Sequence, residues 1–305
     1  MTALVTQPAA VAHTAPAKRR RRPGAGRAAA HVFLFVAAFV WLVPLAWTVY
    51  TSLRPYNETV KDGYFSWPRT LTFSNFTSAW SQADIPKYFW NSVIIAVPSV
   101  IVVLLLASFV GYVLSRFNSR FNIPLLILFA AGNLLPQQVI IIPLYRIYLS
   151  IHLPKWLSSS GLMYNSYFGL IVINVTFQLG FCVFVLSNFM RSIPQEITEA
   201  GLIDGASVWS RYWRLTLPLC RPALAALGTL LTTWIYNDFF WATVLIEDGS
   251  KRPITSALAN LQGVYFTNNN LLAAGALITA VPTLVVYLLL QRQFIAGLAL
   301  GSTKG

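Results

Sequence analysis

Long apolar runs alternate with short polar segments along most of the chain. A helix that crosses a bilayer needs roughly 20 mostly apolar residues, and the runs that reach this length are 31–53, 89–114, 123–145, 164–189, 223–246 and 271–290. The pattern therefore predicts an all-α polytopic membrane protein with six transmembrane helices.

Prolines interrupt several of these runs, at Pro44, Pro98, Pro136, Pro143 and Pro282. Broken helices persist in a membrane only where neighbouring protein or a watery cavity satisfies the freed backbone groups. The prolines therefore favour a packed bundle with a pathway over a simple anchor.

The composition agrees, with 56% hydrophobic and 10% charged residues and a mean hydropathy of +0.60. A net charge of +13 would also fit a nucleic-acid partner, but the charges separate apolar runs and form no single basic face, so we expect contact with membrane lipid and not with nucleic acid.

With the N-terminus inside, 14 of the 22 Lys and Arg residues are cytoplasmic. This bias predicts an N-in/C-in orientation.

These boundaries divide the chain into segments with different expected roles. The core is expected at 89–290, and within it the cytoplasmic connection 191–222 is long. The other segments are a disordered basic cytoplasmic tail at 1–30, the first transmembrane helix at 31–53, an external loop at 54–88 and a cytoplasmic C-terminal tail at 291–305.

Sequence signatures of enzymes are missing. The chain has no nucleotide-binding G-x-x-x-x-G-K-[ST] pattern and no G-x-S-x-G, H-E-x-x-H or C-x-x-C. Its three histidines have no ligand spacing, and its two cysteines suggest no disulfide framework. We expect no enzyme activity, metal or cofactor in this chain, so energy for uphill transport would come from another protein.

The cytoplasmic connection 191–222 has helical pattern. It is 32 residues long, whereas the other connection, 115–122, has 8. Ser192, Pro194 and Glu196 read as a helix start, with a capping residue, an early proline and an acid in the first turn.

A second apolar pattern follows Gly205. Val208, Tyr212 and Leu215 recur at helical spacing and define one face. The segment is predicted to form two short amphipathic helices separated by a glycine break. An interfacial loop with no partner is the alternative.

The same segment carries a motif with fixed spacing. Glu199-Ala-Gly, three residues, Gly205, nine residues and Leu215-Thr-Leu-Pro218 resemble the EAA loop of ABC-importer permeases. Gly201 replaces the second Ala of that motif, and Leu215 replaces an Ile. In that family the loop forms a coupling helix that docks on the ATPase. The resemblance assigns this role to Glu199, Ala200, Gly201, Asp204, Gly205, Ala206, Leu215 and Pro218.

Three further stretches resemble the carbohydrate branch of the family. Trp234-Ile-Tyr-Asn-Asp-Phe239 looks like its W-N-D-F signature with two residues inserted, 136–145 looks like its P-L-Y element, and 291–305 looks like its terminal Q-R and K-G pattern. The resemblance extends from about Val32 to the end and is closest to the smaller permease of maltose-type sugar importers.

This resemblance implies the type I ABC importer permease fold and a place in the bacterial plasma membrane. The implied partners are a second, larger permease, a dimeric cytoplasmic ATPase that binds ATP and Mg, an extracytoplasmic sugar-binding protein and a sugar substrate, a di- or oligosaccharide. The resemblance also implies that the end of the chain, at Ser302, Thr303 and Lys304, contacts the ATPase. A frayed terminus is the alternative.

Asp238 is the only acidic residue within a predicted span. A carboxylate there costs about 2.5 to 3.5 kcal/mol unless it is paired or hydrated, so we expect it to face the bundle interior. One interpretation is a polar path for sugar hydroxyls, and the other is a hydrogen bond between helices. The candidates for the path are Asn133, Gln137, Gln138, Asn174, Gln178, Trp234, Asn237 and Asp238.

Two other transporter classes compete with this reading. An ion-gradient-driven secondary transporter would need acidic relays in several spans and an inverted repeat, neither of which is apparent. A channel with a ring of Asp238 as its filter would leave the patterned 191–222 segment without a task.

Overall fold

A computed structural model describes residues 25–132, 136–261 and 267–302, and these ranges are mostly helical. The chain divides into two units, residues 1–47 and 48–305, and the side-chain contacts described below lie within the second. The helices are α1 (Ala25–Ser52), α2 (Tyr56–Asp62), α3 (Ser74–Gln82), α4 (Ile85–Arg116), α5 (Asn122–Gly132), α6 (Ile141–Ser150), α7 (Tyr167–Ser192), α8 (Gln195–Ile203), α9 (Val208–Ser210), α10 (Leu217–Leu219), α11 (Arg221–Tyr236), α12 (Phe240–Leu245), α13 (Ile254–Ala257) and α14 (Asn269–Ser302).

Four helices of the described ranges are long and apolar enough to cross a membrane, namely Gly26–Ser52, Ile85–Arg116, Tyr167–Ser192 and Asn269–Gln291. Two bent helix pairs, Asn122–Gly132 with Gln137–Ser150 and Val208–Leu219 with Arg221–Tyr236, raise the number to as many as six if each pair counts as one span. The first helix begins at Ala25, so part of the segment predicted as a disordered tail at 1–30 is helical. Residues 1–24 lie outside the described ranges.

The third predicted span, 123–145, is not one continuous helix. Helix α5 ends at Gly132, and a 3₁₀ turn, Gln137–Ile140, leads into α6. Pro136 precedes that turn in an extended conformation, with φ −60° and ψ 125°, which no α-helix accommodates.

The fifth predicted span, 223–246, is also broken, because α11 ends at Tyr236 and α12 begins at Phe240. The Asn237 side chain donates to the Thr233 carbonyl at 2.8 Å, and a carboxylate oxygen of Asp238 accepts from the Trp241 amide at 3.2 Å. Such side-chain bonds to the backbone compete with the helix. Asp238 therefore lies at a break between two helices and not within one.

Helices α4 and α7 form the centre of the second unit, and small residues allow them to approach closely. A Cβ atom at Gly111 of α4 would lie 3.2 Å from the backbone nitrogen of Ser187 in α7. Ala107 and Ser108 are buried on the same face of α4, and Leu186 is fully buried opposite. This packing of small residues, common between membrane helices, brings the last turns of α4 and α7 together beside the 191–222 segment.

A buried arginine follows α1. Arg54 is 1% exposed, and its guanidinium donates to the carbonyl of Tyr64 at 3.0 Å and to the Ser66 hydroxyl at 2.7 Å. Its own carbonyl accepts from the side-chain amides of Asn75 and Asn270 at 2.7 and 3.1 Å. These bonds connect the end of α1 to α3 and α14 without an acidic partner for the arginine among the described residues.

Candidate functional site

The EAA segment, residues 191–222, begins at the end of α7, where the chain turns at Ile193 and Pro194. Ser192 is the last residue of α7, and its hydroxyl donates to the Phe189 carbonyl at 2.7 Å. The predicted cap at Ser192 is therefore wrong, because Pro194 precedes α8 and no side chain caps that helix. Arg116, from the end of α4, donates to the Ile193 carbonyl at 3.3 Å and fixes the turn.

Helix α8 ends in a glycine turn, as the pattern predicts. Gly205 has φ +74°; its amide donates to Leu202 at 3.0 Å, and the Ala206 amide donates to Gly201 at 2.9 Å. This pair of bonds is a Schellman motif, which requires a left-handed residue at the position of Gly205. A residue other than glycine is strained there although the space beside it is open.

The second helix of the segment runs over Val208–Leu219. The Ser207 hydroxyl caps it by accepting from the Ser210 amide at 3.2 Å, and Arg211–Thr216 form a π-helical turn. Within Val208–Leu219 the buried side chains are Tyr212 and Thr216. The predicted face is therefore partly wrong, since Val208 is 46% exposed.

Aromatic packing fastens this second helix to α4. The hydroxyls of Tyr212 and Ser108 share a hydrogen bond of 2.6 Å in a buried position. Phe109 stacks on Trp209 with 5.6 Å between ring centroids, and Tyr112 meets Tyr212 edge-on at 5.2 Å. This anchor was not among the predicted features, although the closely spaced aromatic residues of 209–213 indicate it.

The two helices of the segment cross at Gly201. A Cβ atom at this glycine would lie 2.7 Å from Cδ1 of Leu215 and 3.4 Å from Cγ of Arg211. Gly201 is buried, so the replacement of the second Ala of the motif by Gly matches the closeness of Leu215. Gly201 and Leu215, two positions of the EAA motif, are in contact.

The opposite side of α8 is exposed. Glu199, Ala200 and Asp204 are exposed, and Leu202 and Ile203 are 59% and 86% exposed. The ion pairs of the described residues are Arg69–Asp62, Lys87–Asp84 and Lys251–Asp248, so neither Glu199 nor Asp204 has a charged partner in that part of the chain. The segment therefore presents small, apolar and acidic side chains from a rigidly anchored turn.

The predicted polar path is only partly assembled. Asn174 of α7 is 4% exposed, and its side chain interacts with the Asp238 carboxylate. Gln178 is half-buried on α7, whereas Asn237 and Gln138 are exposed.

The remaining members of the set differ in their surroundings. Trp234 is exposed beside Phe181, with 5.6 Å between ring centroids, and Gln137 begins the 3₁₀ turn. Asn133 lies outside the described residues. Of the described candidates, Asn174 and Asp238 are the pair joined by a side-chain contact.

The C-terminal residues predicted to contact the ATPase are described only at their start. Helix α14 ends at Ser302, and Thr303 and Lys304 lie outside the described residues.

The amino-acid sequence of the chain matches a known protein family. Residues 81–294 match the binding-protein-dependent transport system inner membrane component family. The diacetylchitobiose uptake system permease protein NgcG of Streptomyces coelicolor is 33% identical over 91% of this chain and 89% of its own. The melibiose/raffinose/stachyose import permease protein MelC of Bacillus subtilis is 30% identical over 88% of this chain and 94% of its own.

The fold has a relative among solved structures. A chain in the crystal structure of a bacterial ABC transporter involved in the import of the acidic polysaccharide alginate superimposes with a TM-score of 0.72. The two chains are 20% identical, and the match covers 87% of this chain and 95% of the other. The chain belongs to the family of binding-protein-dependent transport system inner membrane components, and it is an ABC transporter permease of the bacterial plasma membrane, not an enzyme.

Proposed function

We propose that this chain is one of two permease subunits of an ATP-driven importer for a di- or oligosaccharide. The observation that carries the proposal is the EAA spacing on an exposed, anchored two-helix segment, Gln195–Ile203 followed by Val208–Leu219. The partners are a second, larger permease, a dimeric ATPase that binds ATP and Mg, and an extracytoplasmic sugar-binding protein.

The exposed side of α8 is the docking surface for the ATPase in this proposal. Ala200 and Gly205 have almost no side chain, so another backbone can approach closely. A basic group of the ATPase meets Glu199, and one charge-assisted hydrogen bond in such an interface contributes about 1.5 to 3 kcal/mol. The buried Tyr212 and the bond from Arg116 to Ile193 carry the motion of this segment to α4 and α7.

The proposal includes six spans with both ends in the cytoplasm. In this proposal the spans are the four long helices, the bent pair Asn122–Gly132 and Gln137–Ser150, and helix Arg221–Tyr236, whereas Val208–Leu219, which bends away from Arg221–Tyr236 by 72°, belongs to the cytoplasmic segment. The excess of Lys and Arg in the segments on one side supports the orientation, because positive residues are retained on the cytoplasmic side.

Sugar is the proposed substrate because NgcG and MelC are named for the uptake of diacetylchitobiose and of melibiose, raffinose and stachyose. The test is mass spectrometry of the ligand held by the solute-binding protein that copurifies with this chain. We expect a disaccharide or short oligosaccharide. A bound amino acid or peptide would contradict the carbohydrate assignment.

Asp238 forms structural hydrogen bonds, and a test of its role in the sugar path must keep these bonds intact. Its carboxylate accepts a hydrogen bond from the Trp241 amide in the first turn of α12, and the Asn174 side chain interacts with it. Asp238→Asn keeps an acceptor for this bond, whereas Asp238→Ala removes it at a cost of about 1 kcal/mol.

We therefore expect Asp238→Asn to retain a normal melting temperature and to lower uptake if the carboxylate contacts sugar. Uptake of radiolabelled sugar at several concentrations measures this. Normal uptake with an unchanged order of preferred sugars would assign Asp238 to packing alone.

The end of the chain is a second proposed contact with the ATPase. Helix α14 continues to Ser302, three residues before the terminus. We expect deletion of residues 301–305 to lower the sugar-dependent rate of ATP hydrolysis while the transporter still assembles. An unchanged rate in the assembled transporter would assign these residues to a frayed terminus.

A further inference from the structure

A cavity of about 260 Å³ lies beside α8. The last turn of α4 and Arg211 of the π-helical turn also line it. Its lining residues are Ser115, Arg116, Gln195, Thr198, Glu199, Leu202 and Arg211. The wall of the cavity therefore carries two cations and a single anion, Glu199.

The two cations have unused donors. Nε and Nη2 of Arg116 and Nε of Arg211 are buried and have no hydrogen-bond partner in the described part of the chain. Arg116 uses Nη1 for the Ile193 carbonyl, so its guanidinium is held in place with its other donors free. Buried donors that lack a partner are costly, and more so when they are charged.

Glu199 is the anionic acceptor in the cavity wall. It is exposed toward the outside, yet it also belongs to the cavity wall. It forms no ion pair with either arginine in the structure, the ion pairs of the described residues lying elsewhere. Rotation of its flexible side chain would bring the carboxylate toward both guanidinium groups, because all three side chains line one space.

We propose that this cavity is an internal seat for the Glu199 carboxylate, with Arg116 and Arg211 as its ion-pair partners. Glu199 then alternates between the seat and the outward position. The seat itself does not depend on the proposed function, but its effect on coupling rests on it. In the assembled importer the arginines compete with the ATPase for Glu199, and docking of the ATPase draws the carboxylate out of the seat.

Carboxyl footprinting of the full chain in lipid nanodiscs, with no ATPase present, tests the seat. Carbodiimide and glycine ethyl ester label free carboxylates, and mass spectrometry gives the labelling rate of each one. Glu196 is the internal reference, since it is exposed on the first turn of the same helix. We expect Glu199 to react about threefold more slowly than Glu196, the effect of a partly exposed ion pair.

The double variant Arg116→Met/Arg211→Met should bring the Glu199 rate up to that of Glu196. Arg191→Met is the matched control, because Arg191 also donates to a backbone carbonyl, that of Leu114 at 3.2 Å, but does not line the cavity. It should leave the rate of Glu199 unchanged. Arg116→Lys/Arg211→Lys should retain most of the protection because the charges remain.

A salt titration of the unmodified chain tests the ion pairs without any substitution, so its result does not depend on whether the variants fold. High salt screens ion pairs, so it should raise the Glu199 rate relative to Glu196. Equal rates for the two glutamates at low salt, or protection that survives both high salt and the loss of both arginines, would overturn the proposal. Neither result depends on the identity of the transported solute or on the ATPase, so failure of the seat and failure of the importer assignment are distinguishable.

Discussion

Gly205→Glu is expected to leave the chain inserted and assembled but to abolish coupled sugar uptake. Gly205 has φ +74° and closes the Schellman motif at the end of α8, and a side chain in this left-handed conformation costs about 1 to 2 kcal/mol. The new carboxylate also adds negative charge beside Asp204 and Glu199 on the proposed docking surface. A free-energy loss of this size reduces productive docking by about tenfold, and the added charge reduces it further.

The measurement is the number of ATP molecules hydrolysed for each sugar molecule taken up by the reconstituted transporter. We expect the variant to hydrolyse ATP without responding to the sugar-loaded binding protein. Gly161→Glu is the matched control, because Gly161 has φ +72° and open space beside it but lies between α6 and α7, away from the EAA segment. Equal losses in the two variants would assign the effect to backbone strain and not to docking.

Tyr212→Ala is expected to detach the second helix of the EAA segment from α4. Tyr212 is 2% exposed, shares a hydrogen bond with Ser108 and lies 4.8 Å from Phe109 between ring centroids. Replacing a buried aromatic residue by Ala costs about 3 to 5 kcal/mol. We expect a lower melting temperature, faster proteolysis within 191–222 and almost no uptake.

Tyr212→Phe separates the ring from its hydroxyl. It keeps the aromatic packing and loses one hydrogen bond, worth about 1 kcal/mol, so uptake should fall only slightly. If loss of the hydrogen bond to Ser108 causes the fall in uptake, the double variant Ser108→Ala/Tyr212→Phe should lose no more uptake than either single variant. Full uptake by Tyr212→Ala would mean that this anchor does not transmit force.

The sequence predicted the features that depend on local chemistry. Apolar length located the ends of the long helices α4 and α7 to within two to four residues, and Gly205 was expected at the break between two helices because glycine is the usual residue in such a turn. The EAA spacing also led to the family.

Features that depend on contacts distant in the chain were missed. The seat around Arg116 and Arg211 joins residues almost a hundred positions apart, and no periodicity reveals that. Thr216 at the end of the π-helical turn is buried and Val208 is exposed, which the apolar spacing did not predict. The interruption at Pro136 was expected from the proline itself, whereas the break at Asp238 depends on side-chain bonds to the backbone that hydropathy averages over.

Uptake by proteoliposomes tests the central claim most directly. Radiolabelled disaccharide would be offered to vesicles that contain this chain alone, and to vesicles that also contain the second permease and the ATPase, with the sugar-binding protein outside and ATP inside. We expect accumulation only with all partners and ATP, unaffected by ionophores that collapse proton and sodium gradients. Accumulation by this chain alone, driven by an ion gradient, would contradict the account and support a secondary transporter.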